Sequence, residues 1–255
     1  MGHIVKTLIT AITAGCAMPL AAFCQRVSPD LQAKANWLVI NRTAEPITEA
    51  QHKGIHLDEA PGDGLMILRD ADMADGSIGL DIKGSSKFQQ SFVGIAFHIQ
   101  NDTTFDAVYF RPFNFRSEDP IRRTHAVQYV SMPGNDWEKL RNRSPGKYEQ
   151  PVNPVPDADE WFHARIIVKG SHIKVYVNNA EKPSLEVERL NATTHGGLAL
   201  WVGNNSAGSF ANLTFTPDNG GQAKGTATGS GRPIAKYQVI CVVTGPHNTE
   251  PLNHS

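Results

Sequence analysis

Only 3 of the 255 residues are cysteine, and two of these, Cys16 and Cys24, fall within the first 24 positions. A chain cut after that point keeps Cys241 alone. No internal disulfide could then brace it, and its stability must rest on a sizeable core. No apolar run approaches the roughly 20 residues a membrane-spanning helix needs. The 24 basic residues are balanced by 25 acidic ones and form no long run, which argues against nucleic acid, because phosphate binding needs concentrated positive charge. Cys and His at zinc spacing, a Gly-rich phosphate loop and a Gly-x-Ser-x-Gly nucleophile elbow are missing too. With 40% hydrophobic and 19% charged residues, the chain is neither a disordered acidic tail nor a coiled coil. It is well supplied with turn formers, 22 Gly and 16 Pro.

Residues 1–24 read as an export signal. Lys6 precedes an apolar stretch, Leu8 to Ala14 and Leu20 to Phe23, broken by Pro19. Ala22-Phe23-Cys24 then offers small residues where a signal peptidase cuts. The alternatives are a buried N-terminal helix, or a lipoprotein using Thr13-Ala14-Gly15-Cys16 as a loose lipobox. The expected location is secreted or periplasmic, with the lipoprotein form as an option. Sequons such as Asn41-Arg-Thr and Asn191-Ala-Thr would carry glycans in a eukaryotic host and serve as polar turns in a bacterial one. Residues 25–217 form one domain. Residues 218–255 are a Gly/Thr/Ser-rich linker and tail expected to be disordered, the alternative being an added edge strand at 237–243.

Period-two alternation dominates the domain. Ile78, Leu80 and Ile82 share one parity over 76–84, as do Val93, Ile95, Phe97 and Ile99 over 92–100. Val108 and Phe110 do so over 106–113, and Phe162, Ala164, Ile166 and Val168 further on. Ile173, Val175 and Val177, then Leu198, Leu200 and Val202, continue the series. Pro61-Gly62-Asp63-Gly64, Asp75-Gly76, Lys169-Gly170-Ser171 and His195-Gly196-Gly197 punctuate these runs, Asp75-Gly76 reading as a hairpin turn. Many half-buried strands without intervening helices predict an all-β antiparallel sandwich or barrel. Residues 117–123 and 133–159 interrupt the pattern. They carry Trp137, Leu140 and Tyr148 as apolar anchors, so an ordered functional loop is expected there.

The string Glu160-Trp-Phe-His-Ala-Arg-Ile-Ile-Val-Lys-Gly with Ile173-Lys-Val-Tyr-Val-Asn-Asn resembles the concanavalin A-like lectin and glucanase jelly rolls, laminin-G-like modules included. So does Gly197-Leu-Ala-Leu-Trp-Val-Gly-Asn-Asn-Ser. The order of Gly76-Ser-Ile-Gly-Leu-Asp-Ile-Lys-Gly, the Trp-Phe-His-Ala-Arg strand and the Gly-Leu-Trp ending is similar to secreted 3-keto-disaccharide hydrolase domains, a glycoside-hydrolase-like family, over about residues 31–217. The resemblance implies an antiparallel jelly-roll sandwich and a saccharide or glycan partner, possession of a membrane span or a nucleic-acid partner being no part of it. It transfers no catalytic residue. Retaining jelly-roll glucanases place two carboxylates in a Glu-x-Asp-x-x-Glu strand, since nucleophile and acid must stand about 5 Å apart. That pattern is absent here; Glu118-Asp119 lacks the spacing.

The parity opposite the core carries the candidate site. His98 and Gln100, Tyr109 and Arg111, His163 and Arg165, and Tyr176 lie there, with Asn114 and Arg116 following. Pro112 demands an edge or a bend. Over 125–132 the pattern exposes either Gln128 or His125 with Tyr129. On the concave face of a jelly roll these residues would bind saccharide, Arg, Gln and His meeting hydroxyl and carboxylate groups. His163 or Tyr109 would be the catalytic proton shuttle, and Trp137, Tyr148, Trp161 and Trp201 could offer stacking surfaces, although Trp201 reads first as a packing residue. Any one of these residues alone reads more simply as a solvated side chain; as a set, poor in Lys and Glu, they point to a site. The function expected is a secreted, glycoside-hydrolase-like carbohydrate-active protein. The alternatives are a non-catalytic lectin-like module and a polysaccharide lyase using Tyr, His and Arg. No cofactor is expected; calcium is an option at no assigned residue, Asp70 to Gly76 being one position off the EF-hand spacing. No pattern bears on oligomeric state.

Overall fold

The computed structural model describes residues 26–218. The expected export signal and nearly all of the expected tail lie outside these residues. The described chain forms fourteen strands: β1 (Trp37–Ile40), β2 (Ala44–Glu49), β3 (His52–Leu57), β4 (Gly64–Met73), β5 (Gly76–Lys83), β6 (Val93–Asn101), β7 (Thr104–Phe110), β8 (Val127–Met132), β9 (Glu149–Gln150), β10 (Phe162–Lys169), β11 (His172–Val177), β12 (Leu185–Glu188), β13 (Gly196–Val202) and β14 (Gly208–Pro217). Three short helices, α1 (Pro112–Phe115), α2 (Pro120–Arg123) and α3 (Trp137–Arg143), lie between β7 and β9.

The strands form two seven-stranded sheets, which we call sheet I (β1-β4-β13-β6-β7-β8-β9) and sheet II (β12-β11-β10-β5-β14-β3-β2). Pairing between strands is antiparallel throughout, as the alternation predicts. The inward faces meet in one apolar layer. Ile78, Leu80, Ile82, Phe162, Ala164 and Ile166 come from sheet II; Ile95, Phe97, Val108, Phe110, Leu198 and Leu200 come from sheet I. Phe162 ties the layers together, its ring edge-on to Phe110 at 5.0 Å and to Phe115 at 5.3 Å.

Two local expectations change. The Asp75-Gly76 turn is not a hairpin: β4 belongs to sheet I and β5 to sheet II, so it carries the chain from one sheet to the other. The strand expected to reach residue 113 ends at Phe110, because Pro112 has no N–H for the ladder and instead opens α1 at its first position. The interrupting segment is ordered, with Leu140 and Tyr148 buried. Its helices begin where carboxylates cap them: Asp119 accepts from the Ile121 N–H and Asp136 from the Lys139 N–H. Pro46 sits on β2, an edge strand, where a missing donor is harmless.

Phe162→Ala should cost about 3–5 kcal/mol of unfolding free energy, because it removes the ring that both Phe110 and Phe115 abut. Urea denaturation followed by tryptophan fluorescence measures this; a loss below about 1 kcal/mol would show that the two sheets do not depend on this contact.

Candidate functional site

The structure divides the predicted site residues between the two sheets. Tyr109 on β7 and Gln128 on β8 are register partners in sheet I, with Arg111 just beyond β7. His163 and Arg165 on β10 and Tyr176 on β11 point outward from sheet II. They do not share one surface with the sheet I group, because strands β6 to β8 and strands β10 and β11 enter different sheets.

On the outward face of sheet I, pairing aligns a row across five strands: Trp201, Gly94, Tyr109, Gln128 and Glu149. Gly94 has a steric reason. A Cβ there would stand 2.2 Å from the Val108 carbonyl and 2.6 Å from Tyr109 Cα. Across it the Tyr109 and Trp201 rings meet at 4.9 Å, so Trp201 is a packing residue, as its sequence context suggests. Arg111, only 1% exposed, reaches into this row. Its Nη2 donates to Tyr109 Oη at 2.8 Å and to Gln128 Oε1 at 2.6 Å, and its Nη1 to the His125 carbonyl at 2.9 Å. Tyr109 Oη donates to Gln128 Oε1 at 3.1 Å.

Two donors therefore fix the carbonyl end of the Gln128 amide. Its Nε2 is buried without a partner, as are Arg111 Nε and Asn114 Oδ1 on α1. A buried polar atom left unanswered costs about 1–3 kcal/mol, and native proteins tolerate few of them.

Sequence reasoning missed the carboxylate that anchors this row. Glu149, 2% exposed, accepts from Arg141 Nε and Nη2, each at 2.8 Å, and lies 3.8 Å from Arg111 Nη1. His125 Nδ1 is 2.9 Å from Glu149 Oε2, with the ring turned off the line of a linear hydrogen bond. Burial pushes the Glu149 carboxyl up, but the Arg141 hydrogen bonds, the close His125 contact and the charges of Arg141 and Arg111 outweigh it and hold the group at about 2. His125 and Arg141 are the members with side chains open to solvent, 21% and 25% exposed.

The remaining predicted residues do other work. His98, expected to face outward, is fully buried: its φ of 52° and the register shift after Phe97 turn it toward Asp106, at 3.1 Å, and the Ala74 carbonyl, at 3.2 Å. Asp106 also accepts from Tyr129 Oη at 2.7 Å and Asn191 Nδ2 at 2.8 Å, and burial together with this carboxylate pushes the Tyr129 phenol up. Gln100 Nε2 donates to the His195 carbonyl at 2.8 Å, and Arg116 pairs with Asp157 in solvent.

On sheet II, His163 Nδ1 is 2.7 Å from Asp81 Oδ1 across the β10–β5 pairing. Asn212 Nδ2 donates to Asp81 Oδ2 at 2.6 Å, and His52 Nε2 is 3.3 Å from the same oxygen. Burial raises the Asp81 carboxyl, yet the His163 and Asn212 hydrogen bonds bring it below its ordinary value. The His52 ring lies flat on Trp161, centroids 4.3 Å apart. Arg165 covers the Tyr176 ring at 4.3 Å, which accounts for both. Among the described residues no group of three His, Cys, Asp or Glu side chains is placed to hold a metal ion, and no helix is long and apolar enough to cross a membrane.

The Glu149 shift fixes a pH dependence. The folded state holds this carboxyl below its ordinary 4.5, at about 2, so the stabilisation is complete above pH 4.5 and is lost as pH falls toward 2. Glu149→Gln should remove that part of the acid limb of a stability–pH curve and destabilise the protein at neutral pH by about 3–5 kcal/mol, because two guanidiniums lose their carboxylate. An acid limb identical to that of the wild-type protein would contradict the assignment.

Comparison with known proteins agrees with this architecture. A carbohydrate-binding module, CBM66 from Bacillus subtilis, superposes with a TM-score of 0.52 at 14% identity, covering 71% of this chain and 95% of that one. A Bacillus subtilis protein of unknown function with a galectin-like fold superposes with a TM-score of 0.50 at 12% identity, covering 74% and 94%. At these identities the likeness speaks for the fold, the antiparallel jelly-roll sandwich expected from the sequence. No curated protein matches by sequence. The 3-keto-alpha-glucoside-1,2-lyase-like domain family matches residues 32–216, nearly all of the described residues, and the chain belongs to that family.

Proposed function

We propose that this is an exported enzyme that cleaves a 3-keto-α-glucoside by proton abstraction and elimination, with the reaction centred on His125, Glu149, Arg111, Tyr109 and Gln128. The observation that carries this reading is the Gln128 amide, its oxygen held by Arg111 and Tyr109 and its nitrogen buried without a partner beside the His125–Glu149 pair. Membership of a family described as 3-keto-α-glucoside-1,2-lyase-like supports the reaction class. The signal-like sequence at residues 1–24 supports export.

The chemistry follows from the groups present. A ketone at C3 acidifies the C2–H bond. A base takes that proton, and its electron pair moves into an enolate with the charge on the C3 oxygen. When the enolate collapses, the C1–C2 double bond forms, the C1–O bond breaks, and the departing alkoxide takes a proton. Glu149, ionised and acceptor-only, faces His125 Nδ1 at 2.9 Å and favours the neutral tautomer with its proton on Nδ1, whose Nε2 would serve as the base. His125 then carries the proton from C2 to the leaving oxygen. The unpartnered Gln128 Nε2 donors and the Arg111 charge suit the enolate oxygen, donors already in place where negative charge develops. Water addition across the new double bond would complete a net hydrolysis. Tyr109, expected as a proton shuttle, would instead position Gln128, to which its hydroxyl donates. His163, the other expected shuttle, lies on sheet II and takes no part in this step.

Release of nitrophenolate from 4-nitrophenyl 3-keto-α-glucoside tests the reading. His125→Ala should lower kcat by about 10²–10⁴-fold. Gln128→Leu should lower it by about 10²–10³-fold. Undiminished turnover in His125→Ala would overturn the assignment of the base. Saturable binding of this substrate without turnover in the wild-type protein would select the non-catalytic lectin-like module instead.

A further inference from the structure

We infer that the pocket on the outer face of sheet II, formed by Trp161, His52, His163 and Asp81, is a second saccharide-binding site that takes a neutral α-glucosyl oligosaccharide. The choice of ligand class rests on the saccharide reading above; the site does not depend on the reaction assigned to sheet I.

The pocket has a volume of about 420 Å³ and is lined from β2, β3, β5 and β10, the strand ends being joined by the 50–51 turn and residues 160–161. This is within the usual range for small-ligand sites, about 300–1,000 Å³. Its aromatic wall is the Trp161 indole, backed on one side by the His52 ring in a near-parallel stack of 8°.

The hydrogen-bonding capacity of the pocket selects the ligand. Asp81 is held ionised and can only accept, so the nitrogens facing it, His163 Nδ1 and His52 Nε2, carry the protons. In the neutral rings the opposite nitrogens, His163 Nε2 and His52 Nδ1, are acceptors. His52 is 8% exposed, and its Nδ1 is buried with no partner. Glu49, which accepts from Lys83 Nζ at 2.6 Å, and Glu160 add exposed carboxylates on the rim. A pocket that offers both imidazole acceptors and the Trp161 indole N–H suits a ligand whose hydroxyls give and take hydrogen bonds. A pyranose is such a ligand, giving hydroxyl protons to the imidazoles and an apolar C–H face to the indole.

Asp81 gathers nitrogens from three other strands, His52 on β3, His163 on β10 and Asn212 on β14. These contacts fix the angle of two rings, a preorganised binding surface. Because β5, β10 and β3 belong to sheet II, this pocket is separated from the Glu149 cluster by the apolar layer, and both can be filled at once.

Titration of the ¹⁵N-labelled protein with maltotriose, followed by the indole Nε1–H resonances, tests the inference. The Trp161 resonance, assigned from Trp161→Phe, should shift and saturate in the millimolar range. His52→Phe keeps a stacked ring but removes the acceptor, and should weaken binding at least about tenfold. Two results would overturn the site: no shift at Trp161 up to solubility, or wild-type affinity in His52→Phe. Loss of turnover in His125→Ala bears only on the sheet I reaction, so the two readings stand or fall apart.

Discussion

Arg111 sets the terms for sheet I. A guanidinium that is 1% exposed must find acceptors for its donors and a balancing charge, or unfold what surrounds it. Its acceptors are the His125 carbonyl, Tyr109 Oη and Gln128 Oε1, and its balancing charge is Glu149. Glu149 in turn serves two cations, so Arg141 on α3 is part of the same balance. The segment between β7 and β9, irregular by sequence, is thus the frame that brings a helix and a two-residue strand against one buried charge. That Arg111 Nε and Gln128 Nε2 still go unanswered sets this row apart from a satisfied structural network.

The Asp106 group makes the contrast. It too is buried, with His98, Tyr129 and Asn191 around one carboxylate, but its oxygens and the His98 nitrogens all have protein partners. It lies on the inward side, where Asp106 follows the parity of Val108, and joins the 189–191 segment to β7 and β8. Completed networks of this kind hold a structure; incomplete ones are where a ligand gains the most.

The strands were legible because period two is a geometric necessity of a pleated chain, and the parities over 76–84, 92–97 and 162–168 survive in the core. What alternation does not encode is which sheet a strand enters. Outward parity on β7 and on β10 looks alike in sequence, yet the two strands face opposite solvents. His98 escaped because a single bulge reverses parity locally, and nothing in the surrounding residues announces it. Glu149 escaped because a two-residue strand has no period. Asp81 lies on the outward parity of β5, opposite Leu80 and Ile82, but its meeting with His163 depends on a pairing 82 residues apart.

Two polar groupings of different character back onto one shared oily layer. Substitutions that reshape the rim around Trp161 leave the frame of the Glu149 row standing, and the reverse holds as well. On such a scaffold the two outward faces can change independently of each other, because neither supplies the layer that holds the sheets together.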